Sequence, residues 1–271
     1  MGKIAALCLV SEKYLHWSKA QEATLKELEP SIVYRRVTEQ ELRVFPSATQ
    51  YPEVTRLLFS NRPKEVLKLF QEGFDEVLFL GADVYFTASF LSVLNEYTGS
   101  ALFTPHITAP MPLDGCYPTT MNVHATGQLN SDFVLWRKCD ETIKFLEWQA
   151  AMMEVVCKDD IKNGHFFDQV YLSYAPYFMG SAVIFKHPGF NVAYWNLPQR
   201  RLNKGSVYRY YVNELIPLYC FQFSGFDEKR PYSLTKYSNR ATLQTIEVFN
   251  LMQEFLACLK SFCPQQDSVQ G

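Results

Sequence analysis

Short apolar runs alternate with amphipathic stretches through the first half of the chain. Lys3 to Val10 is apolar and bounded by Ser11, which predicts a buried first strand. HWSKAQEATLKELEP follows with Trp17, Ala20, Leu25 and Leu28 near helical spacing, and Pro30 is the stop. SIVYRRV reads as a second strand and TEQELR as a short polar helix. From Pro52 to Gln71 the period is helical, with a break expected around Asn61 to Pro63. Proline lacks an amide donor there and restricts its predecessor. DEVLFLGADVYF reads as a strand running out at Asp83, TASFLSVLNEY as a helix and SALFTP as another strand. Strands and helices alternating at this pace predict an α/β fold, with a mostly parallel central sheet flanked by helices.

The second half is less regular. Pro105 to Gly127 is rich in Pro, Thr and Gly and has no period, the mark of a functional or disordered loop. Asn130 to Trp136 returns to a strand, Cys139 to Lys158 reads as an amphipathic helix and HFFDQVYLSYAPYF as a shorter one. Val183 to Phe185, Phe190 to Trp195 and Leu218 to Phe223 read as strands. In Thr242 to Phe262, Ile246, Phe249, Met252, Leu256 and Leu259 recur every three or four residues, predicting an amphipathic helix packed on the body. The expected organisation is one domain over 1–240, the C-terminal helix over 241–263 and a disordered tail, PQQDSVQG, over 264–271.

Composition narrows the function classes. Hydrophobic residues at 48% and charged ones at 20% are ordinary for a soluble globular protein. A net charge of -2 supplies no field to draw the chain onto nucleic acid, so that partner is excluded. The seven cysteines form no C-x-x-C pair, which argues against a zinc ribbon or a disulfide framework and for a reduced, cytoplasmic protein. The apolar run near the N-terminus is too short to cross a bilayer, and no later segment qualifies as a transmembrane span.

In open α/β sheets, ligands gather beyond the carboxyl ends of the strands. Asp83 stands there, and its alternative role is to cap the following helix, although Thr87 is nearer. Thr104 and His106 lie just past another strand end. Asp168 and Gln169 sit among aromatics, where a carboxylate needs a partner or ligand to offset its desolvation. Asn191, Asn196, Arg200 and Arg201 surround an aromatic strand whose Val192, Tyr194 and Trp195 read as core.

The ordered set LFLGADVYF, FTPHI, GQLNSDFVL, FFDQVYLSYAPYF, PGFNVAYWNL and FQFSGFD resembles a nucleotide-sugar glycosyltransferase of GT-A type. It is similar in particular to a bacterial group reading D-P-D-I, T-P-H, N-L-G-F, D-Q, N-V-A-Y-W-N-L and H-F-S-G-F-D, over about Lys3 to Lys236. The resemblance implies a sugar moved from a nucleotide-diphosphate donor to a hydroxyl of a glycan or lipid-linked acceptor, in polysaccharide biosynthesis. It places Val10, Ser11 and Tyr14 at the nucleobase and Asp83 at the last position of D-x-D. Thr104 and His106 would border the donor sugar, Asn130 and Asp168 would hold its hydroxyls, Gln169 would also contact the donor, and Ser224, Gly225 and Lys229 would lie at the diphosphate. Asp168 is the first candidate for general base.

The departing diphosphate carries negative charge, which Mn²⁺ or Mg²⁺ held by hard oxygen ligands would receive. Here the first Asp of D-x-D is Gly81 and the His of H-F-S-G-F is Gln222, leaving Asp83 and a weak Gln222 as the implied ligands. Asp132 replaces the group's usual glycine and could substitute for the lost ligand, act as base or cap its strand. The expectation is therefore a transferase with weakened or absent metal dependence, in which Lys229, Arg230 or Lys236 could replace the ion. The alternatives are a catalytically inactive nucleotide-sugar-binding or scaffolding protein of the same fold, or a structural protein working through its C-terminal helix. A location peripheral to a membrane is the family-level addition to the cytoplasmic reading.

Overall fold

A computed structural model describes residues 2–43, 53–240 and 245–263. The expected starts of helices at Pro52 and Thr242, and the tail over 264–271, lie outside the described residues. The first half holds β1 (Ile4–Val10), α1 (Leu15–Leu28), β2 (Val33–Thr38), α2 (Glu39–Arg43), α3 (Val54–Gln71), β3 (Glu76–Leu80), β4 (Val84–Phe86), α4 (Leu91–Asn95) and β5 (Ala101–Pro105). Then come α5 (Thr120–Ala125), β6 (Leu129–Arg137), α6 (Asp140–Val155), β7 (Asp159–Asp160), β8 (His165–Phe166), α7 (Gln169–Leu172), α8 (Ala175–Phe178) and β9 (Ala182–Ile184). The last part holds β10 (Val192–Ala193), β11 (Leu202–Lys204), β12 (Tyr210–Val212), β13 (Ile216–Pro217), β14 (Cys220–Gln222) and α9 (Ile246–Phe262).

The central sheet has the order β2-β1-β3-β6-β5-β9. Only β6 is reversed, pairing antiparallel with β3 and β5 while the remaining neighbours are parallel. The expected α/β fold with a mostly parallel sheet is what forms. Alternation of side chains explains its two covered faces. Leu7, Val77, Phe79, Phe103 and Trp136 point to one core with Leu57, Leu69 and Phe70 of α3 and Phe145 of α6. Ala6, Leu78, Leu80, Leu102 and Leu135 point to the other, with Leu25 of α1, Phe90 and Phe190.

A second sheet, β10-β14-β4, begins where the main one stops. The chain leaves β3 at Gly81 and enters β4 three residues later, pairing Val84 with Gln222. One strand and its end were expected over DEVLFLGADVYF; instead the segment contributes to two sheets. Helix α9 closes over this second sheet and α1, burying Val248, Leu251, Met252, Phe255, Leu256 and Leu259. Phe223 and Phe255 stack at 4.1 Å with their planes 5° apart.

Several expected boundaries move. Helix α3 runs unbroken through Pro63. A proline inside a helix costs about 3 kcal/mol, but Leu57, Val66, Leu69 and Phe70 are buried there at about 1.5–3 kcal/mol each. Ser60 Oγ and Asn61 Nδ2 also donate to the Leu57 carbonyl, at 3.1 and 2.7 Å, adding side-chain bonds in the turn before Pro63, whose missing amide would have served the Phe59 carbonyl. The single helix expected in HFFDQVYLSYAPYF divides into β8, α7 and α8, turning at Phe167, whose φ of 45° lies in the left-handed region. The loop over 105–127 contains α5, started by a capping box of Thr119 and Asn122. The helices expected over TASFLSVLNEY and Cys139 to Lys158 shorten to α4 and α6.

Candidate functional site

The turn after β3 is pinned from α1. Gln21, itself buried, donates from Nε2 to the carbonyls of Gly81 at 2.6 Å and Val84 at 3.0 Å, while Tyr34 Oη–H donates to its Oε1 at 2.7 Å. Asp83 is thereby held at the seam between the two sheets. Across the seam, β6 presents Asn130, Ser131 and Asp132. Beyond β8, Asp168 starts α7 and is 3% exposed.

Arg62 of α3 joins two of the three aspartates. Its Nη2 donates to Asp132 Oδ1 at 2.8 Å, and its Nη1 donates to Ser131 Oγ at 2.7 Å and to both Asp168 oxygens at 3.3 Å. The guanidinium lies 3.9 Å from the Phe59 ring centroid and 4.7 Å from that of Phe79. Phe167, turned by its left-handed backbone, stacks on the other ring neighbour, Phe59, at 4.5 Å. The charged fork is thus clamped in aromatics, a setting that strengthens a cation's attraction to ring faces.

Gln222 joins the other pair. Its Nε2 donates to Asp132 Oδ2 at 2.7 Å and to Asp83 Oδ1 at 3.2 Å, and its Oε1 accepts from Asn130 Nδ2 at 2.6 Å. This orientation is fixed by a chain starting at the backbone. The Asp132 amide donates to Asn130 Oδ1 at 2.7 Å, which turns the Asn130 NH₂ to Gln222 and to Asn191 Oδ1. A flipped Gln222 would set NH₂ against NH₂ and oxygen against two carboxylates.

The electrostatics follow from crowding. Burial, reinforced by the Asp132 charge, pushes Asp83 well above the usual carboxylate range, with Gln222 acting in the opposite direction. Burial likewise lifts Asp168 to about 6, against the pull of Arg62 and with a further push from Asp132. Burial also lowers His106 to about 4, so its imidazole is neutral at pH 7. For Arg62 burial works downward, but the charges of Asp168 and Asp132 outweigh it and raise the group.

A cavity of about 630 Å³ opens at these strand ends, the size of a small-molecule site. Of the residues brought forward by sequence, His106, Asn130, Asp132, Gln169, Gln222 and Ser224 line it. Asp83 and Asp168 are not in its lining and connect to it through Gln222, Arg62 and Asp132. Thr104 donates its hydroxyl to the Phe133 carbonyl at 3.1 Å, inside the main sheet. Val10 is buried in β1, Ser11 and Tyr14 follow it, and Lys229 is exposed on the loop after β14; none of these lines the cavity. Gly225 has a φ of +76°, and a Cβ there would come within 2.5 Å of Tyr237. Glycine lets that loop close against Tyr237, which does line the cavity. Arg200 is a framework residue: buried, it donates to the Phe190 carbonyl at 2.5 Å. Asn196 holds the backbone of His106 and Asn191, at 2.9 and 2.8 Å.

The sequence motifs do not mark Arg62 and Gln21, which brace the cluster, or Tyr117 and Tyr237, which line the cavity together with Tyr194 and Trp195, expected as core. Arg62 did carry a signal. It falls three residues after Phe59, four before Val66 and seven before Leu69, so it stands on the apolar stripe of its helix.

Hard cations need several oxygen ligands converging on one point. Here the Gln222 NH₂, a donor, stands between Asp83 and Asp132, the Gln222 oxygen is engaged by Asn130, and Asp132 is paired with Arg62. This arrangement does not fit a resident ion.

No family model matches the sequence. A protein of Bacillus subtilis (strain 168) described as uncharacterized protein YfnF is 29% identical over 100 residues, a match spanning 37% of this chain and 33% of that protein. Among solved structures, the galactosyltransferase LgtC in complex with donor and acceptor sugar analogs aligns with a TM-score of 0.54 at 12% identity, covering 96% of this chain and 98% of LgtC. The glycosyltransferase GlyE of Streptococcus pneumoniae TIGR4 aligns with a TM-score of 0.50 at 11% identity, covering 97% of this chain and 63% of GlyE. The chain therefore has the GT-A glycosyltransferase fold. Among the described residues no helix is long and apolar enough to cross a membrane.

Proposed function

We propose that the protein transfers a glycosyl unit from a nucleotide-diphosphate sugar to a hydroxyl of a glycan or other acceptor. The observation that carries this reading is the placement of Asp132, which enters a cavity of about 630 Å³ at the strand ends of a GT-A fold while tied to Arg62 and Gln222. The bond between the anomeric carbon and the diphosphate oxygen breaks, and its electron pair leaves with the nucleoside diphosphate. The acceptor oxygen bonds to the anomeric carbon, and its proton passes to a carboxylate in hydrogen-bond reach. Asp132 is the aspartate of the cluster that lines the cavity and takes that role. Asp168, linked to it through Arg62, acts as a positioning residue. The donor sugar meets His106, Asn130 and Gln169; Ser224 and the glycine loop approach the diphosphate. Lys236, exposed and 5.0 Å from the ring of the cavity residue Tyr237, is the cation assigned in this reading to offset the charge of the leaving group.

Binding without turnover is the second reading, favoured by the poor fit of the acidic centre to a cation. A panel of nucleotide sugars separates the two. For a transferase, a matching donor raises the Tm and nucleoside diphosphate is released slowly, with release lost in Asp132→Asn. A raised Tm with no release selects the binding protein. No shift with any nucleotide at millimolar concentration overturns both.

A further inference from the structure

Positions 81 and 132 compete for one volume. The β3–β6 ladder sets Leu80 opposite Phe133, and the Gly81 amide donates to the Asp132 carbonyl at 2.9 Å, so the next facing pair is Gly81 and Asp132. Facing residues of an antiparallel pair normally keep their Cβ atoms about 4.5–5.5 Å apart. A Cβ built on Gly81 would lie 2.7 Å from both Cβ and Cγ of Asp132 and 3.0 Å from Oδ1. Neither contact is with the far end of a flexible chain. A carboxylate can therefore stand on β6, or a side chain can stand at the end of β3, but not both in this geometry.

The carboxylate on β6 is held by side-chain donors on both oxygens: Arg62 reaches Asp132 Oδ1 and the Gln222 NH₂ reaches Oδ2. The same NH₂ reaches Asp83, and the Gln222 oxygen is spoken for by Asn130. Two nitrogen donors thus occupy the directions in which a cation would need to approach the pair.

We propose that the acidic centre has exchanged its divalent ion for fixed protein donors: Asp132 is the relocated carboxylate, and Arg62 with the Gln222 amide takes the place of the metal between the aspartates. The inference rests on the crevice being the donor site, and it extends that reading by assigning the site a metal-free mode. Its consequence is that donor binding is indifferent to chelators. The exchange is also reversible as a set, since emptying position 132 clears the space at 81.

The test uses the purified full chain and Mn²⁺ alone, so that its outcome is independent of whether any nucleotide sugar binds. Mn²⁺ affinity is measured by calorimetry on the wild type, Asp83→Asn and Asp132→Asn, and the Tm is followed alongside. An ion bound to the native state at a hundredfold excess over its Kd multiplies the folding equilibrium constant about 100-fold, which a melt resolves. Equal affinities across the three proteins, including no binding in any, support the proposal; saturable binding to the wild type that is lost in either variant overturns it. The second arm restores the other arrangement with Gly81→Asp, Asp132→Gly and Gln222→His together. Mn²⁺ binding gained by this folded triple variant, and not by Gly81→Asp alone, is the expected result.

Discussion

Replacing Arg62 by methionine isolates the counter-charge of the acidic centre. Methionine keeps an unbranched chain between Phe59 and Phe79 and removes the donors to Asp132, Asp168 and Ser131. The Arg62 side chain is 12% exposed and that of Asp168 5%, so the pair counts as buried. Removing one partner of a buried pair costs about 3–5 kcal/mol, and we expect a loss in that range at pH 7.5. The cost has a ceiling, because an abandoned carboxylate can take up a proton. The Asp168 carboxyl already stands at about 6 in the folded protein, raised first by burial, against about 3.9 in an unfolded chain. Losing Arg62 moves it further up. A carboxyl raised on folding contributes full stability below its unfolded pKa and loses it as pH rises through the folded value. The variant therefore recovers at pH 5 relative to pH 7.5. Protonating one group becomes easier by about 3.4 kcal/mol across 2.5 pH units, and a recovery of at least about 1 kcal/mol is expected. His106, lowered to about 4, titrates with the opposite sign, but it is common to both proteins and cancels in the difference. Urea melts of wild type and Arg62→Met at pH 5 and 7.5 give the four values. Arg62→Met/Asp168→Asn should be more stable than the single variant at pH 7.5. A deficit below about 1 kcal/mol at pH 7.5, or one that does not shrink at pH 5, refutes the counter-charge role.

Lys236→Ala should weaken nucleoside diphosphate binding about 5- to 30-fold, as expected for 1–2 kcal/mol of charge-assisted contact, with the Tm nearly unchanged; equal affinity in titration removes Lys236 from the leaving-group role. Arg240, with its side chain 2% exposed, clasps Asp114 through two bonds of 2.8 and 2.9 Å and the Pro118 carbonyl at 2.9 Å. Arg240→Ala should accelerate hydrogen exchange over residues 114–118, whose Tyr117 and Pro118 line the cavity; unchanged exchange would show the clasp to be passive. The Arg240 guanidinium beside Asp114 lowers its carboxyl to about 2. A lowered acid contributes above its unfolded pKa and loses that contribution as pH falls, so the same segment of the wild type should loosen between about pH 4 and pH 2.

Much of the fold is legible because its strands are short apolar runs with clear ends: β1, β2, β5 and β6 lie within a few residues of where the hydrophobic pattern puts them. The helix through Pro63 was not legible, since a local rule about a missing amide says nothing of the burial that outweighs it. Strands β7, β8 and β11 to β13 are two or three residues long, below any period. Residues at strand ends, such as Asp83, Asn130, Asp132 and Gln222, stand out by position, so the sequence marks them as candidates. Arg62 sits in mid-helix and enters the cluster from 70 residues away in the chain, which pattern alone does not reveal. The exclusion between Gly81 and Asp132 depends on the strand register, a tertiary quantity.

Helix α5 has its own consequence. Val123 on this helix borders the cavity of about 630 Å³ and also a second hollow of about 430 Å³ that includes Ile107, His124, Ser173, Tyr177 and Lys186. One short amphipathic segment is thus a shared partition wall, with a single valine as common masonry. Trimming that side chain would widen both hollows without touching any aspartate, so room for longer guests is set apart from the acid–base chemistry.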